Sequence, residues 1–304
     1  MSKIEKIDKE ELLTLNTLHK DNRTIRVKQF HKQSKEAKLL NNFLYREAQL
    51  KIESEETNED GDKYNSIDKY DTTLAVLQMR KLLGLEKTNK YPILIDTAIN
   101  QLKKEIEIIN YVDEEGNLWE TQKMAFISYA GKKREKGTGE ISYKLGIDNH
   151  MYHIIKESNN KNFTPLNIDI QKKLTSNGIS LYEWLKSYQN MKGGYCPPLT
   201  LDILNEMFFA NYKHLSKIKN ILFKNIENIN EKTDLKIREV INKNGKKGAI
   251  YLQVQENKEY KKLRLKKEMA IANQDLGLKK QKYKEVKTEE ENLMIEKLLN
   301  KGVK

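Results

Sequence analysis

Lys213, Lys217, Asn220 and Lys224 recur at intervals of four, three and four along "KHLSKIKNILFKNIENINEKT" (213–233), so a helix there aligns them as one polar stripe. Lysines on such a stripe can meet phosphates or guanine O6 and N7, and an asparagine can pair with an adenine edge. The opposite side carries Leu215, Ile218, Leu222, Ile226 and Ile229, a face for a core. A charged face is also what any solvated amphipathic helix presents. The segment that follows separates the two readings. "DLKIREVINK" (234–243), "NGKKG" (244–248) and "AIYLQVQE" (249–256) read as a hairpin with Lys243, Lys246 and Lys247 at its tip. Across 211–248 ten lysines and arginines oppose four acids, too concentrated for solubility alone. A basic helix followed by a basic turn suits a helix in a DNA major groove with the turn clasping the flanking backbone. Each phosphate neutralised that way releases counterions, so binding should weaken steeply with salt.

Other candidates carry less. "GKKREKGTG" (131–139) has five residues between Gly131 and Gly137 and no lysine after the second glycine, which excludes a P-loop. Lys132, Lys133 and Arg134 read instead as a second basic loop touching DNA. Asp60 and Asp62 could hold Mg²⁺ but lie in an acidic run that reads as solvated linker. His150 and His153 are three apart with no third ligand, and the spacing does not suit a nicking endonuclease. Cys196 is the one cysteine, which excludes an intrachain disulfide and a cysteine-based zinc site. No catalytic constellation emerges; we expect no enzyme, no metal and no cofactor.

These residues sit in a chain of 304 amino acids with formal charge +12, pI about 9.3 and mean hydropathy −0.79. The charge points to a polyanionic partner. No apolar run approaches the roughly 20 residues of a membrane span, and "MSKIEKIDKEELL" has no signal core, so we expect a soluble cytoplasmic protein. Four prolines in the whole chain favour helices.

The elements that must position the stripe come in two sets. Residues 1–33 form a polar arm in which "RTIRVKQFHK" (23–32) is basic and strand-like. Helices are expected over 34–51, 71–84 (N-cap Asp71, stop at Gly84) and 91–106 (Pro92 in the first turn), with "ESEETNEDGD" (53–62) a solvated loop. Residues 105–130 read as strand, turn at Glu115-Gly116-Asn117, strand, and 140–146 as a short strand. Helices then hairpin is the order of a winged helix. It recurs as helix 174–190, loop 193–198, helix 200–211 capped by Thr200, helix 214–233 and the basic hairpin. The expected fold is α+β: an N-terminal winged-helix domain (34–156), a linker (157–167), a C-terminal one (168–256) and a basic helical tail (257–304) with net charge +6.

The run "FTPLNIDIQKKLTSNGISLYEWLKSYQN", with "LTLDILNEMF", "HLSKIKNILFKNIENINEKTDLKI" and the strand-wing-strand after it, resembles the C-terminal winged helix of the iteron-plasmid replication initiators, the Rep proteins of theta-replicating bacterial plasmids. "LAVLQMRKLLGLEKTNKYPILIDTAINQLKKEIEI" is similar to the family's N-terminal unit, and the resemblance spans roughly 35–256. It implies binding to double-stranded origin iterons, melting of adjacent AT-rich DNA, recruitment of the host initiator and helicase, autorepression and a dimer–monomer equilibrium. On that pattern Leu181, Trp184, Leu185 and Tyr188 brace the DNA-gripping helices, and Trp184 and Tyr182 do not stack on bases. The acidic insertion at 53–62 and the long tail depart from the pattern. A winged-helix transcriptional regulator is the alternative, and a rolling-circle nickase a third reading.

Overall fold

In a computed structural model, which describes residues 17–25, 27–57, 71–112, 116–158, 163–241, 248–260 and 262, short strands and amphipathic helices alternate along the chain. Strand β1 (Thr17–Asp21) leads into two single-turn helices, α1 (Asn22–Ile25) and α2 (Lys28–His31), and the long α3 (Lys35–Thr57). β2 (Asp71–Ala75), α4 (Val76–Leu83) and α5 (Tyr91–Leu102) come next. Four strands follow: β3 (Glu105–Val112), β4 (Leu118–Ala125), β5 (Ile127–Arg134) and β6 (Ile141–Ile147). Helix α6 (Asn149–Ser158), strand β7 (Phe163–Asn167) and the single turn α7 (Ile168–Gln171) lead to α8 (Ser176–Lys186). The chain then runs through a 3-10 turn (Lys192–Gly194), α9 (Leu201–Met207), α10 (Leu215–Lys232), β8 (Leu235–Glu239) and β9 (Leu252–Glu256).

All strand pairs are antiparallel and the sheets are small: β1–β7, β2–β6–β5, β3–β4 and β8–β9. Single bridges Tyr195↔Gln253 and Leu199↔Ile250 add a third line of chain to the last sheet. Gly194 makes that approach possible. Its φ is +65°, and a Cβ there would lie 2.0 Å from the Val254 carbonyl oxygen, so only glycine fits.

α3 buries Ala37, Leu40, Leu44 and Ala48, the helical spacing read from the sequence, together with Leu39 and Tyr45. α8 is covered on nearly all sides: Ile179, Leu181, Tyr182, Trp184 and Leu185 are buried. Trp184 packs on Tyr188 with ring centroids 4.9 Å apart.

Between α3 and α8 the contact is polar. Glu183 accepts hydrogen bonds from Lys20 (2.9 Å), Asn42 (2.7 Å) and Gln171 (3.2 Å). Lys38 Nζ donates to the Ser180 and Ser176 hydroxyls (2.7 and 2.9 Å) and to the Ser176 and His31 carbonyls (2.9 and 3.1 Å). Burial pulls the Lys38 ammonium down to about 7, with Glu183 opposing that shift and Lys20 adding to it. Burial, reinforced by Lys38, pulls His31 down to about 4. Lys20, Lys38 and Glu183 sit at 3–7% exposure, so each partner is needed to offset desolvation.

Several expectations change. The described residues 17–25 and 27–31 of the expected arm contribute to the core through Leu18, Ile25, Val27 and Phe30, and the strand-like patch holds two short helical turns. α3 runs on to Thr57 into the acidic stretch; Asp60 and Asp62 lie outside the described residues. Asp71 does not cap a helix. Asp71–Ala75 pairs with β6, whose edge recruits the β-branched Thr72 and Thr73, and the Asp71 carboxylate holds Lys144 at 2.7 Å. α4 starts at Val76 and stops at Gly84 in the left-handed region. Residues 131–134 of the expected basic loop are strand, with Lys132, Lys133 and Arg134 facing Tyr143, Ser142 and Ile141 across β5–β6, and the turn itself is 135–140. Residues 163–167 of the expected linker form β7, in register with β1. The chain divides into one compact unit ending at Asn257 and the segment Lys258–Lys304, where the expected tail lies almost wholly outside the described residues.

Candidate nucleic-acid interface

α10 buries Ile218, Leu222, Asn225, Ile226 and Ile229, while Leu215 at its start is only partly covered. On the opposite side Lys217, Asn220 and Lys224 are exposed, as the spacing requires; Lys213, also exposed, lies before the helix and its extended N-cap His214, so helical spacing does not place it on the stripe. The same stripe continues through Glu227 and Glu231, also exposed. Its charge therefore reverses along the helix, positive at the N-terminal end and negative at the C-terminal end. That order opposes helix stability, because the macrodipole favours acids at the start and bases at the end, each worth about 0.3–1 kcal/mol. No acid stands in the first turn of α10, and the N-cap residue His214 makes no side-chain cap bond. The neighbouring α8 and α9 carry side-chain caps at their starts. Thr200 accepts from the Ile203 amide with Asp202 in the first turn of α9, and Thr175 accepts from the Gly178 amide at the start of α8. Where a local rule is broken on a solvated face, function is the first explanation to test. The N-terminal end of a helix with free amides and lysines attracts phosphate.

Side-chain bonds fix α10 against its surroundings. Thr175 donates to Asn225 (2.9 Å), and Asn225 donates to the Ile221 carbonyl (2.8 Å). Asn230 brackets Ile237 of β8, accepting from its amide (2.6 Å) and donating to its carbonyl (2.9 Å). Lys219 pairs with Glu239 (3.0 Å), leaving the stripe to its neighbours. Arg238 grips Gln253 Oε1 through two nitrogens (2.9 and 2.7 Å), and Gln253 donates to the Gly193 carbonyl (2.7 Å). The base of the hairpin is thereby locked to the helix. Its tip, with Lys243, Lys246 and Lys247, lies outside the described residues.

An open notch beside Lys224 is lined by Thr175, Ser176 and Asn177 from the start of α8 and by Asn225 and Asn228 of α10. Ser176 and Asn177 were not identified from the sequence. Only the fold brings them next to Lys224, and the sole local signal was the capping pattern at Thr175.

The first half offers a different surface. Exposed positions on α5 are Ile93, Thr97 and Asn100, with no base among them. Lys132 lies 3.5 Å from Asp96 and over the Tyr143 ring, whose hydroxyl donates to Asp96 (3.0 Å). The Tyr143 contact raises the Lys132 ammonium above its ordinary value, and burial raises the Tyr143 phenol. Lys133 and Arg134 are exposed, but the concave surface shared by Lys132, Lys133 and Lys144 also holds Glu135 and Glu140.

His150 and His153 fall on α6, with His153 3.5 Å from Glu157, and no group of three or more metal-ligating side chains forms among the described residues. Burial pushes the Cys196 thiol up to about 12, which removes a thiolate from chemistry near neutral pH. Among the described residues no helix is long and apolar enough to cross a membrane.

No family model matches the chain, and no curated protein does. Among solved structures, the chain is similar to the Pi initiator protein in complex with iteron DNA, at 14% identity and TM-score 0.49, over 79% of this chain and 96% of that one. It is also similar to domains 2 and 3 of RctB, at 13% identity and TM-score 0.43, over 72% of this chain and 81% of that one.

Proposed function

We propose that this chain is a replication initiator built from two tandem winged helices, with α10 lying in the major groove of an origin iteron. The observation that carries the DNA-binding part is the exposed stripe Lys217, Asn220 and Lys224, with Lys213 exposed just before it, at an uncapped helix start whose charge works against the helix itself. Asn220 and Lys217, in the first turns, are positioned to read base edges; Lys213 and Lys224 meet phosphates. Lys243, Lys246 and Lys247 extend the contact along the backbone, and Lys133 and Arg134 of β5 add a weaker one from the first half. The initiator part rests on the resemblance of "ISLYEWLKSY" and the helices after it to the iteron-plasmid Rep proteins. From the same resemblance come melting of AT-rich DNA, recruitment of a host initiator and helicase, autorepression, and a homodimer that dissociates to an active monomer.

Footprinting of the purified chain on the DNA flanking its own gene, at two salt concentrations, tests the reading. Protection of several evenly spaced direct repeats beside an AT-rich tract is the expected result. A single protected inverted repeat over the promoter would make the chain a transcriptional regulator. Background that merely fades with salt would remove sequence-specific binding altogether.

A further inference from the structure

Where α3 meets α8, a cavity of about 10 Å³ is lined by Lys20, Ile25, Phe30, His31, Gln33, Lys38, Asn41, Ser180 and Glu183. Two of these side chains are buried with polar atoms that find no partner in the protein: Asn41, 1% exposed, at both Nδ2 and Oδ1, and Gln33, 7% exposed, at Oε1. Leaving such atoms unpaired in a protein interior is costly, and three in one place call for a common cause.

The hydrogen-bond inventory defines the occupant. It must donate to Gln33 Oε1 and Asn41 Oδ1 and accept from Asn41 Nδ2. A halide has no proton to give, and an oxyanion that keeps one is too large for about 10 Å³. A metal or ammonium ion cannot accept, and it would sit beside the Lys20 and Lys38 ammonium groups. A water molecule donates twice and accepts twice, and the volume matches one water and nothing larger. We infer that this cavity is the binding site of one internal water, held by Asn41 of α3 and by Gln33 just before it. The water sits against Ser180 and Glu183 of α8 and so bridges the two halves of the molecule. The charged and titratable groups around it are Lys20 of β1, His31 of α2, Lys38 of α3 and Glu183 of α8. The inference is independent of DNA binding and concerns how the halves are joined.

The test uses the full-length chain labelled with ¹⁵N. In water, the Asn41 side-chain amide should show a rotating-frame Overhauser contact to a water that stays for longer than nanoseconds. Oxygen-17 relaxation dispersion should count one long-lived water fewer in Asn41→Leu. That variant should also melt several degrees lower, because it discards a satisfied amide and strands Gln33. A dry cavity gives the opposite sign, since leucine would then replace two unpaired atoms with a side chain of similar volume. Absence of a long-lived water at the Asn41 amide of the parent protein overturns the inference, and so does a melting temperature of Asn41→Leu equal to or above the parent's. The first measurement stands even if the variant fails to fold.

Discussion

α5 and α10 occupy the same place in the order of elements, each the second of two short-linked helices before a set of strands, yet their outer faces differ in charge. α10 shows lysines beside its asparagine, whereas α5, whose start is equally without a side-chain cap, shows Ile93, Thr97 and Asn100 and has Asp96 drawn into contact with Lys132 and Tyr143. The first half also inserts the hairpin β3–β4, whose exposed residues include Glu105, Glu107 and Glu120 against a single Lys123. A repeated order of elements therefore does not imply a repeated surface. Function must be argued from the outward side chains of each half separately.

The sharpest way to break the comparison is through the scaffold of the second half. Trp184→Ala should cost about 3–5 kcal/mol of stability, because the indole is buried against Tyr188 behind α10. A melting temperature close to the parent's would mean that α8 does not brace α10. Next comes the polar contact between the halves. Lys38 titrates near 7 when folded and at 10.5 otherwise, so the unfolded chain binds the extra proton between those values. The penalty is full below pH 7 and is relieved as pH rises toward 10.5; His31 behaves alike between about 4 and 6.5. Stability should accordingly climb with pH through both windows, by on the order of a few kcal/mol. Urea midpoints at pH 6 and 9 would show it, and Lys38→Met should flatten the upper window; an unchanged slope in that variant would clear Lys38 of the effect.

Smaller effects separate the two outer faces. Lys217→Ala and Asn220→Ala should each cost about 1–3 kcal/mol in specific DNA binding, while Thr97→Ala and Asn100→Ala on α5 should leave it unchanged. Equal losses on random DNA would reassign Lys217 and Asn220 to phosphate contacts. Smallest of all, Lys132→Ala should change stability by less than about 1 kcal/mol, because its pairing with Asp96 is half exposed. A larger drop in thermal melting would show that the Asp96–Lys132–Tyr143 group holds the first half together.

What could be read from the sequence was local. The cores of α3, α8 and α10 announced themselves through apolar residues every three or four positions, and Thr200 and Gly84 marked ends that depend on neighbouring backbone alone. The stripe on α10 was legible for the same reason. Asp71–Ala75 was misread because its strand character comes from β6, far along the chain, and the helical pattern of α4 ran backwards into it. Lys132–Arg134 was taken for a loop on its charges and glycines, although pairing with β6 decides its form. The Lys20–Glu183 pair joins residues 163 positions apart, and nothing near either one signals the other.

The pairing of β1 with β7, Thr17 against Asn167, closes almost the whole first half into a loop before the second half begins. On the ribosome, then, β1 has no partner strand until the chain through β7 has emerged, and the long-range closure must come late in folding. Cutting the chain within 159–162 would not release two ready-made modules. It would leave one strand of that pair on each fragment, each with an open edge available to any other chain.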